Sequence, residues 1–376
     1  MIALDSFSGS ILWSVESPTV MRWNVPHDCS NWCADEEAVY VAAENQAWKM
    51  DGRNGKILKQ FSLPLTASKK AKRSWGYIAR HDNLLVGTAV DRSAAYMDWW
   101  GSKNWFDSTG GPDTHVVAGD LLFAVASETG KPIWQYEGLV LHPTITIMDD
   151  RIYFIQDMTQ ANQNAATRRI SIEAEQSHEL VCLDVATGQK QWAQQLKPFV
   201  GHIASLYLAG GGQPDQRSLI IAASEATLSQ FSVRSFDPIS GQRNWVRTVD
   251  WETNHHGKHI SRPAIQGELV YLRPEVLNLA TGETVTRGFP SGHGCSSYSL
   301  STQGMFSRLG ETTWWDVRNE KVHRFDRIRT DCWISVVPAQ GMLLSAEGGG
   351  GCSCGSWLET SMGFLPRTVS EDLPEK

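Results

Sequence analysis

Short apolar runs cut by turn-forming residues fill this chain from end to end. AVYVAAEN (38–45), ITIMDDRIYFIQ (145–156), SLIIAAS (218–224) and GELVYLRP (267–274) are β-branched and aromatic, and each is bounded by Asp, Gly, Asn or Pro. That is the pattern of strands, and no stretch holds a helical period. Between the runs one phrase recurs: a small or apolar residue, often Asp, then two or three residues, Gly, and a large residue four positions on. It reads ALDSFSGSILW (3–13), MDGRNGKILK (50–59), AVASETGKPIW (124–134), CLDVATGQKQW (182–192), SFDPISGQRNW (235–245) and LNLATGETVT (277–286). A degraded seventh copy is WDVRNEKVHRF (315–325).

A unit that returns every ~40–50 residues marks a solenoid, propeller or array. Each unit reads as strand, tight turn, strand, loop, strand, Gly turn, strand. The (T/S)-G dipeptide supplies the positive φ that such a turn requires. The large residue beyond it starts the outermost strand, where Trp can wedge between adjacent sheets and bury a large flat area. Most of the 16 Trp are expected in that packing role. Four-stranded sheets repeated radially make a β-propeller. The expectation is therefore an all-β, seven-bladed β-propeller of four-stranded antiparallel blades. In it the inner strands of 332–348 and the outer strands of 3–13 complete one blade. Eight blades are the alternative, if upstream sequence supplies its own strands. YMDWWGSKNWFDSTGGPDTH (96–115) is an insertion rich in Trp and Gly.

Composition narrows the class. Charged residues are 20% and hydrophobic residues 41%, so the chain can bury a core. The formal net charge is −7 and no Lys/Arg run occurs, which argues against a nucleic-acid partner. No apolar stretch approaches the ~18–20 residues of a membrane span, and no signal peptide opens the chain. Met1 falls inside the first repeat, which suggests a fragment whose upstream part is missing. The seven cysteines are an odd number, against a simple all-disulfide scheme.

The phrase LDVATGQKQW resembles the tryptophan-docking motif of PQQ-like β-propellers, the quinoprotein alcohol dehydrogenase-like group that also includes the BamB lipoprotein. The resemblance covers nearly the whole chain. It implies a single PQQ-like β-propeller domain over 1–376, with the insertion at 96–115 and a Cys/Gly-rich closing segment at 332–365. NVPHDCSNWCADEEAVYVA, SWGYIARHDNLLVGTAV, GHGCSSYS and AEGGGGCSCGSWLETSMGF are similar to segments of large bacterial, BamB-like propeller proteins. That implies a domain of a longer bacterial protein and favours a periplasmic or secreted location. A weaker likeness is to propeller-type ulvan lyases, which carry a structural zinc.

Loops entering the innermost strands of a propeller approach the axis on one face. Histidine stands in five of seven such loops: His27, His142, His202, the group His255, His256 and His259, and His293. Polar groups converging in a concave site suggest a ligand site, although each imidazole could instead bond a neighbouring blade's carbonyl. The first functional reading is a ligand-binding or scaffold domain, with a polysaccharide or small ligand on this axial face and other domains of a longer parent as partners. The alternative is a polysaccharide lyase acting on uronic-acid polymers by β-elimination. It needs a base, an acid and a cation for the carboxylate. His142, His202, Tyr207, His256 and Arg262 are its candidates, with Trp99, Trp100 and Trp105 to stack sugar rings. A PQQ-dependent dehydrogenase is the least favoured. Those enzymes carry adjacent cysteines over the quinone, and this chain has no Cys-Cys pair.

The last two units gather cysteine. His293, Cys295, Cys332 and one of Cys352 or Cys354 form a candidate structural zinc site that pins the closing blade. A disulfide such as Cys295–Cys352, or free thiols, are the rivals. Cys182 is expected in the core, and Cys29 and Cys33 could pair in an oxidising compartment.

Overall fold

The first residue of the repeated phrase folds its turn onto itself. The computed structural model describes residues 1–6, 8, 10–17, 31–64, 73–94, 115–173, 176–252, 259–290, 297–326, 328–330, 335–345 and 361–365. In it, Asp184 Oδ1 accepts the Thr187 amide at 2.8 Å and the Thr187 hydroxyl at 2.7 Å. The Gly188 amide donates to the Asp184 carbonyl at 2.8 Å, closing the turn. Asp237 and Asn278 receive the Ser240 and Thr281 amides in the same way. The turn needs a left-handed residue at its fifth position. Gly55, Gly130, Gly188, Gly241 and Gly282 supply it at φ of 70–74°. In the degraded copy Glu320 takes this place at φ 53°.

Each of four glycines receives an indole. A Cβ added to Gly55, Gly188, Gly241 or Gly282 would stand 2.6–2.7 Å from Trp13, Trp134, Trp192 or Trp245 respectively. Each indole N–H also donates into the same turn, to the carbonyls of Gly52 (2.8 Å), Val185 (2.8 Å), Pro238 (3.2 Å) and Leu279 (3.0 Å). Where Lys59 replaces Trp, its ammonium donates to the Glu128 carbonyl and Phe61 packs on Gly130.

These turns join the third and fourth strands of antiparallel sheets. A hairpin of Ile2–Leu4 and Ile11–Ser14 opens the chain. The chain divides into two compact units, 1–3 with 13–289, and 4–12 with 290–376. In the larger unit one four-stranded sheet holds Trp32–Ala34, Ala38–Ala43, Gln46–Asp51 and Ile57–Ser62. Another holds Ile203–Gly211, Ser218–Glu225, Gln230–Phe236 and Arg243–Asp250, and a third holds Ala264–Gln266, Leu269–Leu272, Glu275–Asn278 and Thr284–Thr286.

The second and third repeats are fused. Arg73–His81, Leu84–Asp91, Val116–Ala126 and Pro132–Leu141 continue into Arg151–Asp157, His178–Asp184 and Lys190–Gln195. The join is a bulge between Glu137 and Val140, at which Leu139 and Val140 pair with Asp157 and Gln156. Thr146–Met148 fills the rest of that edge. The loop after Asp157 holds a four-residue α-helix, Gln160–Gln163.

The smaller unit has the four-stranded sheet Ser299–Ser301, Gly304–Leu309, Glu311–Asp316 and Lys321–Phe325. Its other sheet pairs Val337–Ala339 with Met342–Ser345, and the latter with Met362–Phe364. This third strand therefore comes from the C-terminal segment, whereas the sequence pointed to 3–13. Gly363 makes it fit, since a Cβ there would stand 2.6 Å from the Ser6 carbonyl oxygen.

Apolar side chains fill the spaces between sheets. Leu180 and Cys182 pack with Leu206, Leu208 and Ile221, and Leu85, Leu121 and Phe123 pack with Tyr40 and Phe61. Burying each such Leu, Ile or Phe stabilises by about 1.5–3 kcal/mol. Cys182 is a core residue, as expected. Cys33 is a free, half-buried thiol pushed up to about 12 by burial and by Asp35 beside it.

Gly241→Ala sets a methyl against Trp192 and forces a left-handed alanine. It is expected to destabilise by about 2–4 kcal/mol. Gly267→Ala, also left-handed but with only Gln213 Nε2 at 3.9 Å, is expected to cost about 1 kcal/mol. Urea unfolding midpoints of the two variants check the difference.

Candidate functional site

The strand Ile203–Gly211 organises the described candidates. Side chains alternate across a strand. Leu206 and Leu208 enter the apolar core against the preceding repeat, and a Cβ on Gly210 would meet Met148 and Thr146 there. Ser205, Tyr207 and Gly211 face the following repeat. The Ser205 hydroxyl donates to the His259 carbonyl, and a Cβ on Gly211 would meet Ile265. The Arg262 guanidinium lies 4.7 Å from the centre of the Tyr207 ring. Tyr207 is 1% exposed, whereas Arg262 is exposed. His202 stands immediately before this strand, with Nδ1 2.8 Å from Glu173 Oε1. The turn His142–Thr144 packs against the same strand.

Depth separates these residues. His142 is 0% exposed, and its Nε2 shares a 2.8 Å hydrogen bond with the Thr88 hydroxyl. A Cβ on Gly76 or Gly119 would touch the imidazole, so two glycines clear its space. Burial, helped by Arg169, lowers His142 to about 3, so the ring is neutral. Burial also lowers His259 to about 4. The His202 side chain, 16% exposed, and the Glu173 side chain, 48% exposed, lie nearer solvent. The structure thus brings Tyr207 and Arg262 together, places His202 at the start of the strand that carries Tyr207, and points the His142 ring into its own sheet. His27, His255, His256, His293, Cys29, Cys295, Cys332, Cys352, Cys354, Trp99, Trp100 and Trp105 lie outside the described residues.

Two features had no strong sequence signal. Asp157 is buried, accepting the Thr159 amide and the Asn162 side-chain amide at 2.6 Å each, with His178 Nε2 3.8 Å away. Burial holds His178 below the usual imidazole range. A polar cavity of about 470 Å³ also opens beside the bulge that fuses the second and third repeats. Gly138 inside the strand Pro132–Leu141 was its one trace, since an isolated strand glycine often marks a bulge.

No protein-family model matches the chain, and no curated protein matches it. Solved structures do. A europium-containing methanol dehydrogenase is similar over 92% of this chain and 79% of its own, at 12% identity and a TM-score of 0.50. That likeness supports a β-propeller fold. A quinohemoprotein alcohol dehydrogenase from Pseudomonas putida HK5 matches 89% of this chain and 52% of its own, at 11% identity and a TM-score of 0.42. The Neurospora crassa Pan2 WD40 domain matches 82% and 81%, at 10% identity and a TM-score of 0.42. At such identities the likeness establishes the propeller fold alone.

The buried imidazoles of this propeller make its stability pH-dependent. The unfolded chain protonates His142 and His259 near 6.5, whereas the folded chain does so only near 3 and 4. The fold is favoured fully above 6.5 and loses that advantage as pH falls toward 4. The expected slope is about 1.4 kcal/mol per pH unit for each histidine. Urea midpoints followed downward from neutral pH check it. A flat profile over that range would mean that both rings titrate as exposed imidazoles do.

Proposed function

We propose that this propeller is a binding domain, with a carboxylate-bearing saccharide or small carboxylate as ligand at the mouth of the strand Ile203–Gly211. One observation carries the reading: the exposed Arg262 guanidinium lies 4.7 Å from the centre of the buried Tyr207 ring. The ring holds the guanidinium by a cation–π contact, and its fork of N–H donors suits a carboxylate. His202, held by Glu173, stands at the start of the same strand. We read the repeats as seven blades, the last built around Met342–Ser345.

Binding accounts for these residues better than elimination does. A lyase needs its base and acid within reach of substrate. His142 is neutral but fully buried, and Tyr207 is covered by Arg262. The fold also raises PQQ, which carries three carboxylates. The single Arg262 guanidinium at Tyr207 supplies too little positive charge for it. We further propose that His293, Cys295, Cys332 and one of Cys352 or Cys354 hold a structural zinc. Metal analysis with thiol counting is expected to find zinc and protected cysteines. Metal-free protein with reactive or paired thiols would remove the site.

The function is tested with uronate polymers. Binding is expected without growth of absorbance near the ultraviolet edge, and Arg262→Ala is expected to weaken it about tenfold or more. Growing absorbance would establish the lyase instead. No binding of any uronate, or binding indifferent to Arg262, would overturn the proposal.

A further inference from the structure

The cavity beside the bulge lies away from Arg262, on the seam between the second and third blades. Its walls are held in place before any ligand arrives. Tyr136 Oη donates to Gln156 Oε1 at 2.8 Å, and Gln156 Nε2 donates to Glu179 Oε2 at 2.8 Å. Gln163 Nε2 donates to the Asp157 carbonyl at 2.8 Å, which leaves its amide oxygen as an acceptor. The Asp120 carboxylate is clamped by Arg168 Nε at 2.8 Å and Arg73 Nη1 at 2.7 Å. Arg168 Nη1 also donates to the Ala165 carbonyl at 2.8 Å, tying the overlying loop to the sheet. Gly138 is what lets Gln156 come so close, since a Cβ there would stand 2.7 Å from Gln156 Oε1.

The charge balance selects a ligand class. Two carboxylates, Asp120 and Glu137, and two cations, Arg168 and Lys190, line the cavity. Asp120 and Arg168 already satisfy one another. Glu137 and Lys190 make no ion pair among the described residues, and the Lys190 ammonium lies 5.9 Å from the centre of the Tyr136 ring. An anion would meet Glu137 and a cation would meet Lys190, so neither sign gains from the site as a whole. A hydroxyl both donates and accepts, and can serve Glu137, Lys190 and the Gln163 amide oxygen together. Leu139 and Met158 add apolar surface for C–H groups. The volume, about 470 Å³, suits a ligand of a few rings at most.

We propose that this seam is a second binding site, for a short neutral saccharide. It is independent of the carboxylate site at Arg262. The test titrates the full chain with maltose, cellobiose and lactose, and with digalacturonate as the charged counterpart, following saturation-transfer NMR and calorimetry. At least one neutral disaccharide is expected to bind. Lys190→Ala and Gln163→Ala, both at exposed positions, are each expected to weaken it about tenfold, while thermal melting is unchanged. Arg262→Ala is expected to leave neutral-sugar binding as it was and to lower only digalacturonate binding. The proposal is overturned if no neutral disaccharide binds, if binding ignores both seam variants, or if Arg262→Ala abolishes it. If Arg262→Ala leaves digalacturonate binding untouched while the seam variants still act, the carboxylate reading falls and the seam site stands.

Discussion

An indole resting on a glycine with no side chain is the contact on which this architecture depends. A four-stranded sheet cannot bury both of its faces alone. Each Trp reaches out of the outermost strand of one repeat and lands on the turn of the next, across 34 to 51 residues of chain. The turn must then do three things at once. It must bend through a left-handed residue, present a carbonyl to the indole N–H, and carry no Cβ beneath the ring. Only glycine meets the first and third together. The Asp or Asn that opens the phrase holds the turn in this shape through bonds to its amides. Such links join nearest neighbours, so stability accumulates repeat by repeat, as in other repeat folds.

This is why the fold could be read from the chain. A contact that fixes the residue type at three positions of a short phrase leaves a mark each time it recurs. The strands were legible for a similar reason, since two buried faces demand continuous apolar runs such as Ser218–Glu225. What the phrase does not encode is which edge meets which. The fusion of the second and third repeats rests on two residue pairs at a bulge, Leu139 with Asp157 and Val140 with Gln156. Met362–Phe364 is three residues long and carries no period, so nothing in the sequence set it against 3–13 as a partner for Met342–Ser345.

The candidate site was legible only in outline. His142 and His202 each stand just before a first strand, Thr146–Met148 and Ile203–Gly211, but equivalence along the chain does not set depth. His142 sits where Gly76, Gly119 and Thr88 make room for a neutral ring with a hydrogen bond. His202, at the corresponding point one repeat later, meets a carboxylate nearer solvent. The difference lies in the neighbours, which are distant in sequence. Register does the rest. Were Ile203–Gly211 to slip by one residue, Leu206 and Leu208 would leave the core and Tyr207 would enter it. The apolar set therefore aims Tyr207 at Arg262, and packing positions the polar site as a by-product.

The seam illustrates the converse, a site made where packing is interrupted. A regular outer strand would run past Gly138 with a side chain there, and Gln156 could not approach. The bulge takes two positions, Gly138 and Leu139, out of the ladder with Val116–Ala126 and turns the strand onto the next repeat. That opens a polar cavity and, in the same step, welds the two sheets that form its walls. A cavity between independently hinged blades would change shape as they moved, and ordering it would cost affinity. One between sheets that share a hydrogen-bonded edge is ordered before binding. Irregularity and rigidity arise here from a single backbone feature, which is why the bulge can carry a binding site without loosening the fold around it.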